Sequence, residues 1–458
     1  MAPSINLWRR HSARAAAILL IACPLLPAQT NTDLARILER LDRLERENRT
    51  LAGEVASLRA ELAASRDSRR TEAQVAASAP APTPALTADE RLDIQQARID
   101  EQAQTKVEAS QKFPIHLTGM ALFNAFLNSK QSGGSDYPIV AAPTGAGHDG
   151  ATVRQSIIGL ELSGPPSIWG GKAHASIYMD FFAGASNSAM RVRTASVGVD
   201  WKTRSITAGL EKPIFNPREP SSLAQVGISP LTGAGNLWLW LPQVRVEQEL
   251  RFGTHTGLRM QLGAVQTREI GPYEGTVTPE AARPAVEGRF NFHHSFDDNR
   301  RLEFATGFHT STTHAAGKSI PSNLYSFDWF YNPWKSLEFT GVFYSGQNVA
   351  HLGSGTRQGY AIYRNSAAAV QSVGGWGQIT LHTLPRLDFH LFTGQVDDAN
   401  HNLGRDSIGK NLLFGGNAYF RVAPNVLVGV ETTQLRTMYI GQGVRINNHY
   451  DLALAYLF

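Results

Sequence analysis

The sequence contains little cysteine, and beyond its N-terminus it has no long apolar run. Cys23 is the only cysteine in 458 residues, so removal of the first apolar stretch would leave no thiol for disulfide or cysteine–metal chemistry. After residue 30 no apolar run approaches the ~20 residues that a transmembrane helix requires, which excludes a helical membrane protein. The charge is nearly balanced as well. A net charge of +4 gives no support for nucleic-acid binding.

The N-terminus has the pattern of an export signal. Three arginines precede an apolar run over 15–26, and the small residue Ala28 follows it. Residues 1–28 are therefore predicted to be a signal peptide that is cleaved after Ala28. The stretch over 20–23 also resembles a lipoprotein cleavage box, which would leave a lipidated Cys23 as the first residue.

Residues 31–66 carry a heptad pattern. Apolar residues recur at alternating spacings of 3 and 4 through four heptads, interrupted only by Asn48. The seam comprises Leu34, Ile37, Leu41, Leu44, Asn48, Leu51, Val55, Leu58 and Leu62. Such a narrow seam on a charged helix predicts an α-helical coiled coil and hence self-association. Asn48 at an a position fixes the register and favours in-phase parallel pairing, with two or three strands both open.

Residues 67–112 connect the coiled coil to the rest of the chain. A Pro/Ala-rich stretch over 76–88 predicts a stiff, extended linker. A second and weaker helical pattern follows over 89–110.

Residues 113–458 change character and predict an all-β transmembrane barrel of about sixteen antiparallel strands. The last strand shows the pattern best: apolar and aromatic side chains fill one face of 445–458, and Asn447, His449 and Asp451 lie on the other. Alternation of period two places lipid-facing side chains on one face and water-facing ones on the other. The predicted strands are 113–128, 151–163, 172–184, 190–201, 204–211, 243–252, 256–267, 284–296, 301–313, 322–332, 335–345, 373–383, 386–396, 411–422, 425–436 and 445–458.

The predicted connections alternate in length. Turns of a few residues follow the even-numbered strands, and longer polar or glycine-rich loops follow most odd-numbered ones. Outer-membrane barrels sort their connections in this way, whereas a soluble sandwich has no reason to do so. A barrel of about sixteen strands with a polar interior leaves an aqueous channel, so the pattern predicts a pore.

The mature chain resembles the DcaP-like family of trimeric outer-membrane porins, which carry a coiled coil before a sixteen-stranded barrel. The stretches that carry the resemblance are 154–156 leading into 159–161, 178–182, 190–195 and 241–245. The resemblance implies a homotrimer, and it implies passage of dicarboxylates and similar anions.

The loop over 212–242 is predicted to fold inward and narrow the pore. Its Lys212, Arg218 and Glu219, together with the preceding Glu211, are expected to line the constriction. They would face four arginines of the barrel wall, which are Arg154, Arg245, Arg259 and Arg289. Arginines facing water attract anions by the focusing of a low-dielectric channel.

The alternative is that these arginines pair with lumen carboxylates on the same faces. The candidate carboxylates are Glu247, Glu249, Glu287 and Glu303. Arg191 and Arg193 share the parity of lipid-facing Val197 and Val199, so a bulge or a position above the membrane must explain them.

A membrane-barrel hydrolase is the alternative from another class. The only dense run of hydroxyl and imidazole side chains is His309, Ser311, Thr312, Thr313 and His314. No carboxylate or Asn is expected to orient the histidine, and a run at a strand's outer end is more typical of a solvated rim. The protein is therefore predicted not to be an enzyme.

No metal or cofactor site is predicted. His293 and His294 are neighbours on a strand and point to opposite faces, so they cannot chelate together. The glycine-rich stretch over 233–235 lacks a following helix and makes no phosphate cradle.

These patterns together predict a porin of the bacterial outer membrane, with its coiled coil in the periplasm. It would allow passive diffusion of small hydrophilic solutes. The alternatives are a selective anion channel of the dicarboxylate type and a tether between the outer membrane and the cell wall. The expected partners are further copies of the chain, outer-membrane lipids and small, in part anionic, solutes, but no nucleic acid.

Deleting residues 31–110 separates the pore from the tether. The pore interpretation predicts that solute transport survives, because the channel lies within 113–458. The tether predicts that the envelope phenotype is lost while the barrel still conducts. Bilayer conductance and an envelope-integrity assay of the deletion variant measure the two effects, and lost conductance contradicts the pore interpretation.

Overall fold

The computed structural model describes residues 115–166, 168–184, 189–271, 278–363 and 366–458. The predicted signal peptide (1–28), the coiled coil (31–66) with Asn48, and the segment 67–112 lie outside the described residues.

Sixteen antiparallel strands of the described residues form one closed barrel. They are β1 (Ile115–Asn128), β2 (Ile157–Pro166), β3 (Lys172–Ala183), β4 (Ala189–Asp200), β5 (Arg204–Glu211), β6 (Leu241–Arg251), β7 (Thr256–Val265), β8 (Ala285–Ser295), β9 (Arg301–Ala315), β10 (Lys318–Trp334), β11 (Leu337–Gln347), β12 (Gln371–Leu384), β13 (Leu387–Asp398), β14 (Ile408–Ala423), β15 (Val426–Tyr439) and β16 (Gly443–Leu457). The barrel closes where β1 pairs with β16, from Met120 opposite Leu457 to Asn128 opposite His449. The predicted barrel is thus confirmed.

Short elements occupy some of the connections. A strand His148–Thr152 pairs with β1, and Glu280–Ala281 pairs with β9. A hairpin of Tyr360–Tyr363 and Ser366–Ala369 lies outside the barrel sheet. The described residues also include the 3-10 turns Ile168–Gly170, Ala350–Leu352 and Asn400–Asn402, but no helix long and apolar enough to span a membrane.

The largest boundary difference from the sequence prediction lies at β2. This strand begins at Ile157 rather than at residue 151, because the preceding His148–Thr152 pairs with the upper part of β1 as a separate strand. Below it, β1 pairs with β2 itself over Ile115–Met120.

The two ends of the barrel differ in the lengths of their connections. At the short-turn end, two or three residues suffice in the turns 201–203, 335–336, 385–386 and 424–425. The opposite, long-loop end carries the connections 129–156, 212–240, 266–284 and 348–370. Some odd-numbered strands depart from the pattern, since 316–317 and 440–442 are tight turns.

The two faces of each strand differ as the alternation predicts. On β10, Tyr325 is 74% exposed, and Phe327 and Tyr331 also point outward. Ser326 and Asp328 on the same strand are buried inside the barrel. Since residues of equal parity share a face, the outer wall is apolar and the inner wall is polar.

A β-bulge explains the position of Arg191 and Arg193. Tyr178 of β3 pairs with Thr194, but the next residue, Met179, pairs with Val192. Arg193 is therefore the extra residue of a bulge, and beyond it the parity of β4 is reversed. Arg191 lies opposite Asp180 and points inward, so the bulge is the correct one of the two explanations.

An apolar core lies between the inner wall and two of the long loops. Ile214, Phe215 and Leu237 come from 212–240, and Val349 and Leu352 from 348–370. They pack against wall residues that include Leu241, Val265, Leu324 and Tyr344. Because burying a large apolar side chain contributes about 1.5–3 kcal/mol, this core holds both loops inside the barrel.

Gly394 permits close approach of the loop to the wall. It faces inward on β13, and a Cβ at this position would overlap the Ala234 carbonyl oxygen. We expect Gly394→Ala to lower the free energy of unfolding by about 1–3 kcal/mol, because the loop or the strand must shift. Denaturant unfolding of the refolded barrel measures the change.

Gly404→Ala is the matched control, because nothing lies within 4 Å of a Cβ built there. Equal stability of the two variants would show that the loop does not rest on this part of the wall.

Candidate pore constriction

The connection 212–240 folds into the barrel and begins by binding the wall at β8 and β10. The backbone N–H of Ile214 donates to Glu287 Oε2 at 2.8 Å. Ser326 Oγ donates to the carbonyl oxygen of Phe215 at 2.8 Å. Polar side chains of the inner wall thus satisfy backbone groups that the loop carries away from solvent.

Arg218 ties the loop to β9 and β10. Its Nε lies 2.6 Å from Asp328 Oδ1, and its Nη2 lies 2.8 Å from Glu303 Oε2. Arg289 of β8 donates to both oxygens of the same Asp328 at 2.8 Å. Asp328 is fully buried. Two arginines therefore share one buried carboxylate, with Glu303 as the second acceptor.

Further round the wall, side chains bind the backbone at Ser221–Leu223. Ser221 N–H donates to Gln378 Oε1 at 2.7 Å, and Asn417 Nδ2 donates to Ser221 O at 2.8 Å. Asn124 Nδ2 donates to Leu223 O at 2.9 Å. Because Gln378, Asn417 and Asn124 belong to β12, β14 and β1, the loop follows the inner wall over a large part of its circumference.

Arg191 and Arg193 of β4, the strand that pairs with β5, bind the loop near the wall from which it starts. Arg191 Nε lies 2.8 Å from Asp180 Oδ1, and Arg193 Nη1 lies 2.9 Å from Asp180 Oδ2. Arg193 also donates to Val226 O at 2.6 Å, and Arg191 donates to Gly227 O. Again two arginines share a single fully buried carboxylate.

Aromatic rings surround this arginine pair. The guanidinium carbon of Arg193 lies 4.5 Å from the ring centroid of Trp240, and that of Arg154 lies 4.6 Å from Phe182. Arg154 Nη1 lies 3.8 Å from Asp136. Cation–π contacts of this kind stabilise a cation without neutralising its charge.

The remaining candidate residues are distributed over the loop and the wall. Lys212 and Glu219 pair within the loop at 2.6 Å, and Arg245 lies 3.0 Å from Glu247. Glu211 ends β5 on the face of the buried Thr207. The structure therefore brings Lys212, Arg218 and Glu219 together in the inward-folded loop.

Arg259 lies apart from this loop. It pairs with Glu249 at 3.3 Å near the short-turn end. Together with His293 it lines a cavity of about 750 Å³ that also includes the turn residues Lys202 and Gly253. It therefore lies near the short-turn end of the barrel and away from the loop 212–240.

All five candidate arginines lie within salt-bridge distance of a carboxylate. The pairs are Arg154–Asp136, Arg218–Asp328, Arg245–Glu247, Arg259–Glu249 and Arg289–Asp328. The geometry of these arginines therefore agrees with the alternative in which they pair with lumen carboxylates. Arg191 and Arg193 share the single carboxylate of Asp180, so arginines outnumber acidic partners there, whereas Arg218 and Arg289 face the two carboxylates of Asp328 and Glu303.

The expectation that no carboxylate orients His309 is wrong. His309 Nδ1 lies 2.9 Å from Glu287 Oε1, and its Nε2 lies 2.9 Å from Ser311 Oγ. Glu287 is on β8, directly opposite His309 in the register. Because this pairing joins residues 22 positions apart, only a β8–β9 alignment of the sequence could have found it.

The same three residues do not form a solvated rim. Glu287, His309 and Ser311 are each at most 1% exposed, and Glu287 also holds Ile214 of the loop. Thr310, Thr312 and His314 alternate with them toward the outer face. The trio is therefore a buried support of the loop 212–240 (the constriction loop).

Two further loops meet this support. His351 of 348–370 lies with its ring centroid 5.6 Å from that of His309, and its Nδ1 lies 3.6 Å from Glu269 Oε2 of 266–284. Leu239 N–H donates to Leu352 O at 3.2 Å, which joins 348–370 directly to the constriction loop. Three long loops thus converge inside the barrel.

The described residues offer no cluster of three or more His, Cys, Asp or Glu side chains that could hold a metal ion. His293 binds Glu249 inside the barrel at 2.6 Å, whereas His294 contacts Thr256 at 2.8 Å.

The solved structures that share this fold include a channel and a porin. The outer membrane channel DcaP of Acinetobacter baumannii has a TM-score of 0.63 and 16% identity, over 75% of this chain and 97% of DcaP. An anion-selective porin from Comamonas acidovorans has a TM-score of 0.53 and 12% identity, over 75% of this chain and 99% of that porin. The resemblance to DcaP-like porins is confirmed at the level of the fold. No family model and no curated protein sequence matches the chain.

Acidification is expected to loosen the loop 348–370 through His351. Burial, and then the neighbouring His309, lower the pKa of His351 well below its usual value. The released loop would carry a histidine of pKa about 6.5, so the docked state is favoured most above that pH and loses stability as the pH falls below it. The other charged groups around this pair are Glu269 and Glu287.

Single-channel recordings at pH about 7.5 and about 5.5 test this expectation, because the two values bracket the free histidine pKa. More frequent opening is expected at the lower pH in the unmodified protein and not in His351→Gln. An equal response of both proteins assigns the pH effect to other groups.

Proposed function

We propose that this protein is an outer-membrane porin through which small hydrophilic solutes diffuse passively. The observation that carries the proposal is a closed sixteen-stranded barrel with an apolar outer wall, a polar inner wall and a loop bound to that inner wall. Barrels of this size leave an aqueous channel, whereas barrels of about eight strands fill with side chains. Passage through the lumen needs no catalytic group and no cofactor.

Accessible charged side chains inside the barrel support a water-filled lumen. The side chain of Lys212 is 39% exposed, that of Arg191 29% and that of Glu219 24%. Ionised groups that are removed from water carry a large desolvation cost. Their residual exposure supports a solvated path beside the constriction loop.

A preference for anions is the second candidate. Arg191 and Arg193 share the single carboxylate of Asp180, so cationic groups outnumber acidic partners at this point. The solved porin from Comamonas acidovorans, which is described as anion-selective, has a similar fold. The proposed pore-lining set is Arg154, Glu211, Lys212, Arg218, Glu219, Arg245, Arg259 and Arg289.

The proposed assembly is a homotrimer in the bacterial outer membrane. Its support is the resemblance to trimeric DcaP-like porins and the heptad seam over 31–66. The coiled coil over 31–66 is proposed to lie in the periplasm. Its four heptads correspond to a rod of ~50 Å at 1.5 Å per residue.

Planar-bilayer conductance of the refolded protein tests the pore. We expect discrete steps in groups of three, and a reversal potential under a KCl gradient that indicates a preference for chloride. Stable insertion without conductance would contradict the proposed function.

The double variant Arg245→Ala with Arg259→Ala tests the wall arginines. We expect the chloride preference to fall several-fold, because two cationic groups leave the lumen. The matched control is Lys410→Ala with Arg436→Ala, which makes the same charge change on the outward faces of β14 and β15. Unchanged anion/cation permeability in the lumen variant would remove the role assigned to Arg245 and Arg259.

A further inference from the structure

Gln155 makes more contacts with the constriction loop than its position outside the strands would indicate. It lies between the short strand His148–Thr152 and β2, and it is fully buried. Its Oε1 accepts hydrogen bonds from the backbone N–H groups of Val226 at 2.7 Å and Gly227 at 2.8 Å. Its Nε2 donates to the Ala224 carbonyl oxygen at 2.9 Å.

This one side chain therefore holds three backbone groups of a four-residue turn. The other wall amides hold fewer, since Asn417 binds only Ser221 O of the loop and Asn124 binds only Leu223 O. Asn124 also orients Gln155, because its Oδ1 accepts the second hydrogen bond from Gln155 Nε2 at 3.1 Å. The amide of Gln155 thus uses both its donor and its acceptor side.

The same turn is bound from the opposite direction by the arginine pair. Arg193 donates to Val226 O, and Arg191 donates to Gly227 O. The peptide groups at 226 and 227 therefore accept from arginines on one side and donate to Gln155 on the other. A loop held on both sides in this way has one position relative to the wall.

We propose that Gln155 is the positioning residue that sets the aperture of the pore, an inference that rests on the proposed porin function. It holds the turn 224–227 against the wall and the arginine pair. Without it the turn moves away from Arg191 and Arg193, which then lose their carbonyl acceptors. Both guanidinium groups would become available to permeating anions.

Two substitutions separate hydrogen bonding from packing. Gln155→Leu keeps a side chain of similar size and loses every hydrogen bond of the amide. Gln155→Glu keeps an acceptor for Val226 and Gly227, but it places an oxygen against Ala224 O and Asn124 Oδ1. Both variants are expected to release the turn, because buried groups left without partners are costly.

The matched control is Gln248→Leu. Gln248 lies on β6 near the short-turn end, and its Nε2 donates to Thr203 O at 3.1 Å and Glu249 O at 2.8 Å rather than to the constriction loop. Heat-modifiable migration on gels verifies that each variant forms a folded barrel.

Conductance is the first readout. Single-channel conductance is expected to rise in both Gln155 variants, the largest neutral solute that passes becomes larger, and the reversal potential shifts further toward chloride. Gln248→Leu is expected to conduct like the unmodified protein. Unmodified conductance and size limit in folded Gln155→Leu would overturn the proposal.

Thiol labelling gives a readout that does not depend on conduction. Ala224 is 1% exposed, and the only natural cysteine is Cys23. In a full-length Cys23→Ser protein, Ala224→Cys is expected to react with a bulky maleimide about tenfold faster or more when Gln155→Leu is present, because three hydrogen bonds to the turn are lost.

The two readouts distinguish the possible failures. If no protein conducts, the porin function fails. Faster labelling in the Gln155→Leu background would then still support the conclusion that Gln155 holds the turn 224–227. Equal labelling rates with and without Gln155→Leu would overturn the positioning role of Gln155, whatever the conductance.

Discussion

Backbone hydrogen bonding in a water-free environment is the constraint from which the rest of this structure follows. In lipid an unpaired N–H or C=O costs several kcal/mol, so a sheet that spans the membrane must leave no free edge. Pairing of β1 with β16 meets this requirement by joining strands more than three hundred residues apart in the chain. Once the sheet is closed, every strand has one face toward lipid and one toward the lumen.

The closed barrel creates a second problem on its inner side, where polar groups are confined in a narrow space. The long loops form hydrogen bonds and ion pairs with these polar groups. Backbone atoms of the loop 212–240 form hydrogen bonds with Glu287, Asn417 and Asn124 of the wall and with Gln155 of the first long connection. The side chain of Arg218 in the same loop forms an ion pair with Asp328. Loop and wall thus satisfy each other's hydrogen-bonding groups, so the free width of the lumen depends on these contacts and not on the strand number alone.

Some parts of this arrangement were accessible from the sequence and others were not. Alternation along single strands predicted which side of β10 or β16 faces lipid, and it indicated that Arg259 shares a face with lumen carboxylates. It did not predict the partner of His309, because Glu287 reaches it through the register of two strands. It also left Arg191 and Arg193 without a definite side, since one inserted residue at a bulge reverses the parity of everything beyond it.

The sequence by itself determined the class of the fold, the number of strands and the ends at which long and short connections lie. These depend on local periodicity and on turn residues, which act over a few positions. Only the tertiary structure decided which charges share a carboxylate, which loop carbonyls the arginines bind, and that Gln155 binds the turn 224–227. Those contacts join residues far apart in the chain, and their geometry exists only after the barrel has closed.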